Sequence, residues 1–254
     1  MEGAHLNPKR SSLKRWVRLG FITWAIISTS WLLNSYRTQG VAQTLLISDA
    51  KVTVESSREA LAFLPRFAAS SGLLFIVGAG VAAEAYAPLL RPIAEQGHPV
   101  FVVRLPYSIA PLERHQRTAI ERGRLILKSH EEVARWVIAG HSLGGALASR
   151  MAADGAEKIT AVVLIGTSHP KTIDLSHSRL SFTKVYASND GIATVEMIKA
   201  TRDLLPRTTR WIEIEGGNHS QFAHYGHQLF DGSPTITREQ QQEKTRMAVL
   251  ASLE

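Results

Sequence analysis

One serine in this chain lies in a sequence pattern that is typical of a nucleophile. The segment VIAGHSLGGALAS runs from Val137 to Ser149, with apolar residues before the serine and small residues after it. The motif Gly-x-Ser-x-Gly is formed by Gly140, His141, Ser142, Leu143 and Gly144, and Gly145 follows it. Between a strand and a helix, this motif lifts the serine hydroxyl onto a sharp turn where the glycine positions leave no room for side chains. The pattern predicts Ser142 as a catalytic nucleophile; the alternative is a tight turn without chemistry.

A serine hydroxyl needs a base, and the base needs an acid that orients it. Asp190 lies in the loop of VYASNDGIA, after one predicted strand, and His219 lies in EIEGGNHSQFAHYG, after the next. Ser, Asp, His is one of the known chain orders of such a triad. We therefore predict Asp190 as the acid and His219 as the base. Weaker candidates are the acids Asp174 and Asp203, the histidines His224 and His227, and the pocket candidate His169.

A glycine-containing turn follows the predicted strand Leu73–Val77. Its sequence, GAGVAA over residues 78–83, matches the G-x-G-x-x-G/A pattern of a dinucleotide-binding turn. One use of the turn is an NAD(P) site, with Arg104 near a 2′-phosphate. The other is an oxyanion hole, in which the N–H of Leu143 and that of Ala79 or Gly80 stabilise negative charge. The motif around Ser142 favours the oxyanion hole, with Ala79 the preferred second donor, and Pro88 interrupts the helix that a dinucleotide site needs.

Strand and helix patterns alternate from residue 73 onward. The expected strands are 52–55, 60–65, 73–77, 100–103, 136–139, 161–165, 184–187 and 210–214. The expected helices are 82–96, bent or restarted at Pro88, then 113–130, 143–153, 195–204 and 237–253. Continuous apolar strands are typical of a parallel sheet that is covered on both faces. We predict an α/β fold with a mostly parallel central sheet, helices on both faces and an antiparallel hairpin at one edge.

Composition and charge exclude several functions. The chain has 254 residues and no cysteine, so disulfides, thiolate metal sites and a cysteine nucleophile are absent. Residues 1–40 carry a net charge of +5 out of a total of +7. The remainder shows no basic stripe with interleaved aromatic residues, so we predict no nucleic-acid partner. No histidine pair has metal-ligand spacing with a carboxylate, so we predict no metal site and no cofactor.

The N-terminal residues predict a membrane segment. Residues 16–33 contain one charged side chain, Arg18, and as a helix they would span roughly 27 Å, close to the thickness of a bilayer core. Basic residues precede them, which predicts a cytoplasmic N-terminus and a catalytic domain on the extracytoplasmic side. We predict residues 1–40 as a basic tail plus a single-pass signal-anchor helix, and residues 41–254 as one domain. The alternatives are a cleaved signal peptide with a secreted domain, and a buried amphipathic helix.

Five segments together resemble the α/β-hydrolase superfamily, and more narrowly the family 5 group related to dienelactone-hydrolase-like esterases. They are LLFIVGAGVAAEAYAPLLRPIAEQGHPVFVVRLPY, VIAGHSLGGALAS, VYASNDGIAT, IEGGNHSQFAHYG and GSPTITREQQQEKT. The resemblance implies the triad of Ser142, Asp190 and His219, and hydrolysis of a carboxylic ester or similar acyl bond. Relatives more often have adjacent glycines in the turn, whereas here Ala79 separates Gly78 from Gly80.

The combined prediction is a membrane-anchored serine hydrolase that needs no cofactor and acts through an acyl-enzyme. Residues 166–183, between two predicted strands, are too few for a large helical cap, so we expect an open site and a small-molecule or lipid-like acyl substrate. Oligomeric state does not follow from the sequence. The alternatives are a non-catalytic binding module on the same fold and an NAD(P)-binding oxidoreductase.

Overall fold

A single eight-stranded sheet forms the centre of the protein. The computed structural model describes residues 8–155 and 158–254. The strand order is β1-β2-β4-β3-β5-β6-β7-β8. These strands are β1 (Val52–Ser56), β2 (Ala60–Pro65), β3 (Ser71–Ile76), β4 (Val100–Val103), β5 (Arg135–His141), β6 (Ile159–Ile165), β7 (Ser181–Ala187) and β8 (Arg210–Ile214). β1 and β2 pair in antiparallel fashion, β2 pairs antiparallel with β4, and all remaining pairs are parallel. The predicted mostly parallel sheet with an edge hairpin is confirmed.

Helices lie before, between and after the strands. They are α1 (Pro8–Ser35), α2 (Ala87–Glu95), α3 (Glu113–Ser129), α4 (Leu143–Asp154), α5 (Val195–Lys199) and α6 (Arg238–Leu253). α2 contacts α6, whereas α3 contacts α4, and both pairs pack on the central strands. Every residue of β3 is buried, as a parallel strand requires when helices lie on both of its faces. The segment 166–180, between β6 and β7, contains no helix.

The carboxyl ends of the parallel strands lie at one edge of the sheet. Ile76 of β3 pairs with Gly140 of β5, and Gly140 pairs with Leu164 of β6. Ala187 of β7 pairs with Ile214 of β8. Loops that follow these strands therefore meet at this edge, which is where open α/β sheets bind ligands. All the residues that the sequence predicts as catalytic lie in these loops or directly after these strands.

Two of the predicted helices are each divided into two shorter elements in the structure. The predicted helix 82–96 is a short 3₁₀ turn, Ala83–Tyr86, followed by α2, because Pro88 in the first turn of α2 begins a new helix. The predicted helix 195–204 is α5 followed by the 3₁₀ turn Arg202–Leu204. Elsewhere the predictions identify the elements correctly but shorten the central strands β5, β6 and β7, because strand pairing extends them beyond the most apolar residues.

The N-terminal prediction needs correction. Residues 16–33 do lie within a helix, α1. However, within residues 8–155 and 158–254, no helix is both long and apolar enough to span a bilayer, so the predicted transmembrane helix is not supported. Residues 1–7 of the predicted basic tail lie outside the described residues.

Candidate active site

Ser142 lies in a strained turn between β5 and α4. Its backbone has φ 54° and ψ −118°, a conformation that residues with a side chain rarely adopt. The Ser142 N–H donates to the Ile165 carbonyl at 2.9 Å, which ties the turn to the end of β6. The surrounding structure thus holds the serine in an unfavourable backbone geometry, as a nucleophile on a sharp turn requires.

The glycines next to Ser142 are required by close packing. A Cβ on Gly140 would overlap the backbone of Gly144, and a Cβ on Gly144 would overlap the Ile76 carbonyl of β3. A Cβ on Gly145 would lie 2.5 Å from Cγ2 of Thr167, in the loop after β6. The start of α4 therefore packs directly on the sheet because these positions have no side chains.

Asp190 and His219 form a buried pair at the same edge of the sheet. His219 Nδ1 lies 2.8 Å from Asp190 Oδ2, and both side chains are almost fully buried. The other carboxylate oxygen, Oδ1, accepts the N–H groups of Ile192 and Ala193 at 2.8 and 2.7 Å. An acceptor-only carboxylate fixes the proton of the imidazole on Nδ1 and leaves Nε2 as the basic nitrogen.

Asp231 makes contacts at this site that sequence reasoning missed. Its carboxylate accepts the N–H of His219 at 3.1 Å, the N–H of Ser220 at 2.8 Å and the N–H of Gly191 at 3.2 Å. One side chain thus connects the loop that contains Asp190 to the loop that contains His219. No local sequence pattern signals these contacts, since Asp231 lies 12 residues after His219 and 40 residues after Gly191.

His141 connects Ser142 to the buried pair. Its ring centroid lies 4.6 Å from that of His219, and His141 directly precedes Ser142. Within the described part of the chain, no hydrogen bond joins the Ser142 hydroxyl to His219, a contact that often tightens only when substrate binds. The structure therefore brings Ser142 near the Asp190–His219 pair through His141, and the complete triad stays a prediction.

Tyr86 holds His141 and the glycine turn together. The Tyr86 hydroxyl accepts the Gly78 N–H at 3.0 Å and lies 2.8 Å from Nδ1 of His141. Burial and the neighbouring His219 hold the pKa of His141 well below its ordinary value, so the ring is neutral. Nδ1 then accepts a hydrogen bond from the Tyr86 hydroxyl. Burial also raises the pKa of Tyr86, which keeps its hydroxyl protonated.

The hydrogen bonds of the glycine turn favour one oxyanion donor. The Gly78 N–H donates to Tyr86, and the Gly80 N–H donates to the Ser108 carbonyl at 2.8 Å. Among the described residues, the Ala79 N–H donates no hydrogen bond. Leu143 is the first residue of α4, so its N–H has no acceptor within the helix. The amide of Gly80 is therefore already engaged, and Ala79 and Leu143 carry the free N–H groups.

Residues 36–40 lie against the active-site loops. A Cβ on Gly80 would lie 2.6 Å from the ring of Tyr36, so this ring packs directly on the glycine turn. Thr38 pairs with Tyr225 in an isolated antiparallel bridge, and the Gln39 N–H donates to the His224 carbonyl at 2.9 Å. Nothing in the sequence indicated that the segment after α1 reaches the site.

The weaker sequence candidates have other environments. His169 is half-buried, with Nδ1 3.2 Å from the Thr167 hydroxyl, and burial together with Lys171 and Lys184 lowers its pKa to about 4. His227 contacts the Asp231 carbonyl, and Asp174 accepts the N–H of Ser176 in an exposed turn. No group of three or more metal-binding side chains occurs within residues 8–155 and 158–254.

Comparisons with known proteins identify a family and several solved structures that this chain resembles. The model of a family described as alpha/beta hydrolase matches residues 72–243. No curated protein matches the chain. Similar solved structures include a membrane phospholipase A described as a bacterial virulence factor (TM-score 0.59, 14% identity, 96% of this chain and 99% of that chain). Others are TT1662 from Thermus thermophilus (TM-score 0.58, 16% identity, 80% and 99%) and the esterase domain of a Rhodothermus marinus protein (TM-score 0.57, 14% identity, 80% and 98%).

Proposed function

The chain belongs to the alpha/beta hydrolase family, and we propose that it is a serine hydrolase that cleaves a carboxylic ester or a similar acyl bond. The observation that carries this proposal is the buried hydrogen bond between Asp190 and His219 at the sheet edge where Ser142 lies in a strained turn. Names of similar solved structures, among them esterases and a phospholipase, agree with acyl-bond hydrolysis.

The proposed mechanism assigns one role to each residue. His219 Nε2 takes the Ser142 proton while Oγ attacks the acyl carbonyl, and Asp190 stabilises the charged imidazole. The N–H groups of Leu143 and Ala79 stabilise the oxyanion. The imidazole then donates its proton to the leaving alcohol, which departs and leaves an acyl group on Ser142. Water, deprotonated by His219, attacks the acyl carbonyl and releases the acid, returning the proton to Ser142.

Attachment of the protein to a membrane is a separate proposal. Large apolar side chains of α1 are exposed on several sides: Leu13, Trp16, Val17, Leu19, Phe21, Ile22, Trp24, Ile26 and Ile27. We propose that α1 holds the hydrolase domain at a membrane by inserting these side chains into lipid. The prediction of an extracytoplasmic side applies only to a helix that crosses the bilayer, so it is not part of this proposal. Flotation with phospholipid vesicles tests the proposal: the full chain should float, and the variant Trp24→Asp/Ile27→Asp should stay at the bottom.

The activity is tested with a fluorophosphonate probe and a set of para-nitrophenyl esters of increasing acyl length. The full chain should be used, because residues 36–40 contact the domain. Wild-type protein should bind the probe covalently and hydrolyse at least one ester, and Ser142→Ala should do neither. Ser129→Ala, an exposed serine at the end of α3, is the matched control and should behave like wild type.

Two results would contradict the proposal. Folded wild-type protein that neither reacts with the probe nor hydrolyses any ester would favour a non-catalytic binding module. Hydrolysis that persists in Ser142→Ala would show that another nucleophile acts.

A further inference from the structure

A cleft with several cationic side chains borders the glycine turn. It has a volume of about 450 Å³ and lies beyond the carboxyl ends of β3 and β4. Val81 and Ala82 of the glycine turn line one side, and Leu105 and Ser108 line another. Arg58, Arg104, His115 and Arg122 also line it, and we call it the arginine cleft.

Three separate elements contribute these side chains. Arg58 comes from the turn between β1 and β2, and Arg104 directly follows β4. His115, Thr118 and Arg122 lie at positions i, i+3 and i+7 of α3, which places them on one face of that helix, toward the cleft. Arg117, on the same helix, is exposed and does not line the cleft. The cationic residues thus converge from distant parts of the chain.

Only one of the three arginines is neutralised by a carboxylate. Arg104 forms two hydrogen bonds with Glu84, at 2.6 and 3.0 Å. Arg122 donates to the Arg104 carbonyl at 2.7 Å, and no carboxylate lies within salt-bridge distance of Arg58 or Arg122 among the described residues. Nδ1 of His115 is buried and has no hydrogen-bond partner there. The cleft therefore holds two positive charges that no carboxylate compensates.

The cleft adjoins the proposed oxyanion hole. Ser108 lines the cleft, and its carbonyl accepts the Gly80 N–H. Gly80 is adjacent to Ala79, whose N–H is the proposed second oxyanion donor. A substrate with its acyl carbonyl at Ala79 could therefore extend past Val81 into the arginine cleft.

We propose that the arginine cleft binds an anionic group of the substrate, a carboxylate or a phosphate, and so selects acyl esters that carry a negative charge. This inference rests on the proposed function. Guanidinium groups form paired hydrogen bonds with such anions, and in an open cleft their attraction is screened by salt.

The test compares charged esters with neutral esters of similar size. For charge on the acyl side, the pair is para-nitrophenyl hydrogen glutarate and para-nitrophenyl valerate. For charge on the alcohol side, the pair is para-acetoxybenzoate and para-acetoxybenzamide. Each substrate is assayed with wild type, Arg58→Gln, Arg122→Gln and the control Arg117→Gln, and kcat/KM is measured at low and high salt.

Wild type should prefer the charged ester of at least one pair by about tenfold in kcat/KM, and salt should reduce that preference. Arg58→Gln and Arg122→Gln should each move the ratio of kcat/KM for the charged ester to kcat/KM for the neutral ester toward one. Arg117→Gln should keep the wild-type ratio. If Arg122→Gln unfolds, Arg58→Gln still tests the inference, because Arg58 is exposed in a turn and its replacement should leave the fold intact.

Equal rates for charged and neutral esters in wild type, or a preference that both cleft variants retain, would overturn the inference and leave the proposed function intact. A folded wild type that hydrolyses none of the four esters, and fails to react with the fluorophosphonate, would overturn the proposed function and this inference with it.

Discussion

The hydroxyl of Tyr86 lies 2.8 Å from Nδ1 of His141, and the same hydroxyl accepts the Gly78 N–H. The tyrosine thereby fixes two parts of the proposed site at once: the residue before the nucleophile and the turn that carries the second oxyanion donor. It also engages the Gly78 N–H, so that the free amide of the turn is that of Ala79.

Replacing Tyr86 with phenylalanine should therefore impair both stability and turnover. The change leaves the Gly78 N–H and His141 Nδ1 buried without a partner, which should lower the free energy of unfolding by about 1–3 kcal/mol. We also expect a lower kcat, because the glycine turn loses an anchor. Urea denaturation and ester hydrolysis measure the two effects. Tyr225→Phe is the control, since the hydroxyl of this buried tyrosine contacts Gln228 and Ser220 and neither Gly78 nor His141; an equal loss there would contradict this role for Tyr86.

Asp190→Asn should abolish most of the activity while the fold persists. An amide in place of the carboxylate no longer fixes the proton of His219 on Nδ1, so Nε2 ceases to be the basic nitrogen. The expected loss in kcat is about 10⁴-fold, the size known for this change in characterised Ser-His-Asp triads. The control Asp174→Asn changes an exposed carboxylate in a turn and should retain wild-type kcat. Wild-type activity in Asp190→Asn would remove Asp190 from the proposed triad.

Asp231→Asn should weaken the connection between the loops of Asp190 and His219. The amide nitrogen cannot accept the N–H groups that one carboxylate oxygen now accepts, and hydrogen bonds to a charged acceptor each contribute about 1.5–3 kcal/mol. We expect a lower free energy of unfolding and a reduced kcat with a nearly unchanged KM. Denaturant titration and steady-state kinetics test this. An unaltered kcat would mean that Asp231 stabilises the loops without positioning His219.

Gly145→Ala should destabilise the protein, and Thr167→Ser should restore part of the loss. The added Cβ would lie 2.5 Å from Cγ2 of Thr167, and overpacking of this kind costs about 1–3 kcal/mol. Serine at position 167 keeps the hydroxyl and removes the methyl group that clashes. A double-mutant cycle from urea denaturation gives the coupling between the two positions, with Thr167→Ser alone as the reference. Strictly additive effects would show that the two side chains do not clash.

The buried Lys184 should make the protein more stable as pH rises above neutrality. Its Nζ donates to the His169 carbonyl, and burial lowers its pKa to about 7. In the unfolded chain the lysine keeps its ordinary pKa of about 10.4. Between these values the unfolded chain binds a proton that the folded protein has released, so the free energy of unfolding rises with pH, by up to about 1.4 kcal/mol per unit.

Lys184→Met removes this titration, so its free energy of unfolding should change less between about pH 7 and pH 9 than that of wild type. Chemical denaturation at a series of pH values measures the slopes. Lys171→Met, an exposed lysine in the same region, should keep the wild-type slope. If Lys184→Met also kept it, Lys184 would be charged in the folded protein throughout this range.

The α/β fold could be predicted from local properties of the sequence. Apolar runs such as Leu73–Val77 identify buried parallel strands because a strand covered on both faces needs no polar residues. The helix that ends the chain begins after Thr237, whose side chain forms a capping box with Gln240. The turn around Ser142 was equally visible, because Gly-x-Ser-x-Gly between a strand and a helix is a local pattern. The contacts that exclude side chains at Gly144 and Gly145 come from Ile76 and Thr167 and follow only from the fold.

Contacts between distant residues were decided only by the tertiary structure. From the sequence, either Ala79 or Gly80 could donate an N–H to an oxyanion. In the structure the Ser108 carbonyl accepts the Gly80 N–H, which leaves the Ala79 N–H as the free donor. The contacts of Tyr86 with His141, of Asp231 with His219 and of Tyr36 with Gly80 likewise join residues that are separated in sequence. They form only when the sheet brings the ends of its strands together. The sequence by itself determined the strands, the strained turn at Ser142 and the candidate residues, since local sterics and periodicity encode them. The hydrogen-bond partners, and with them the free donors of the site, depend on which side chains and carbonyls the fold brings together.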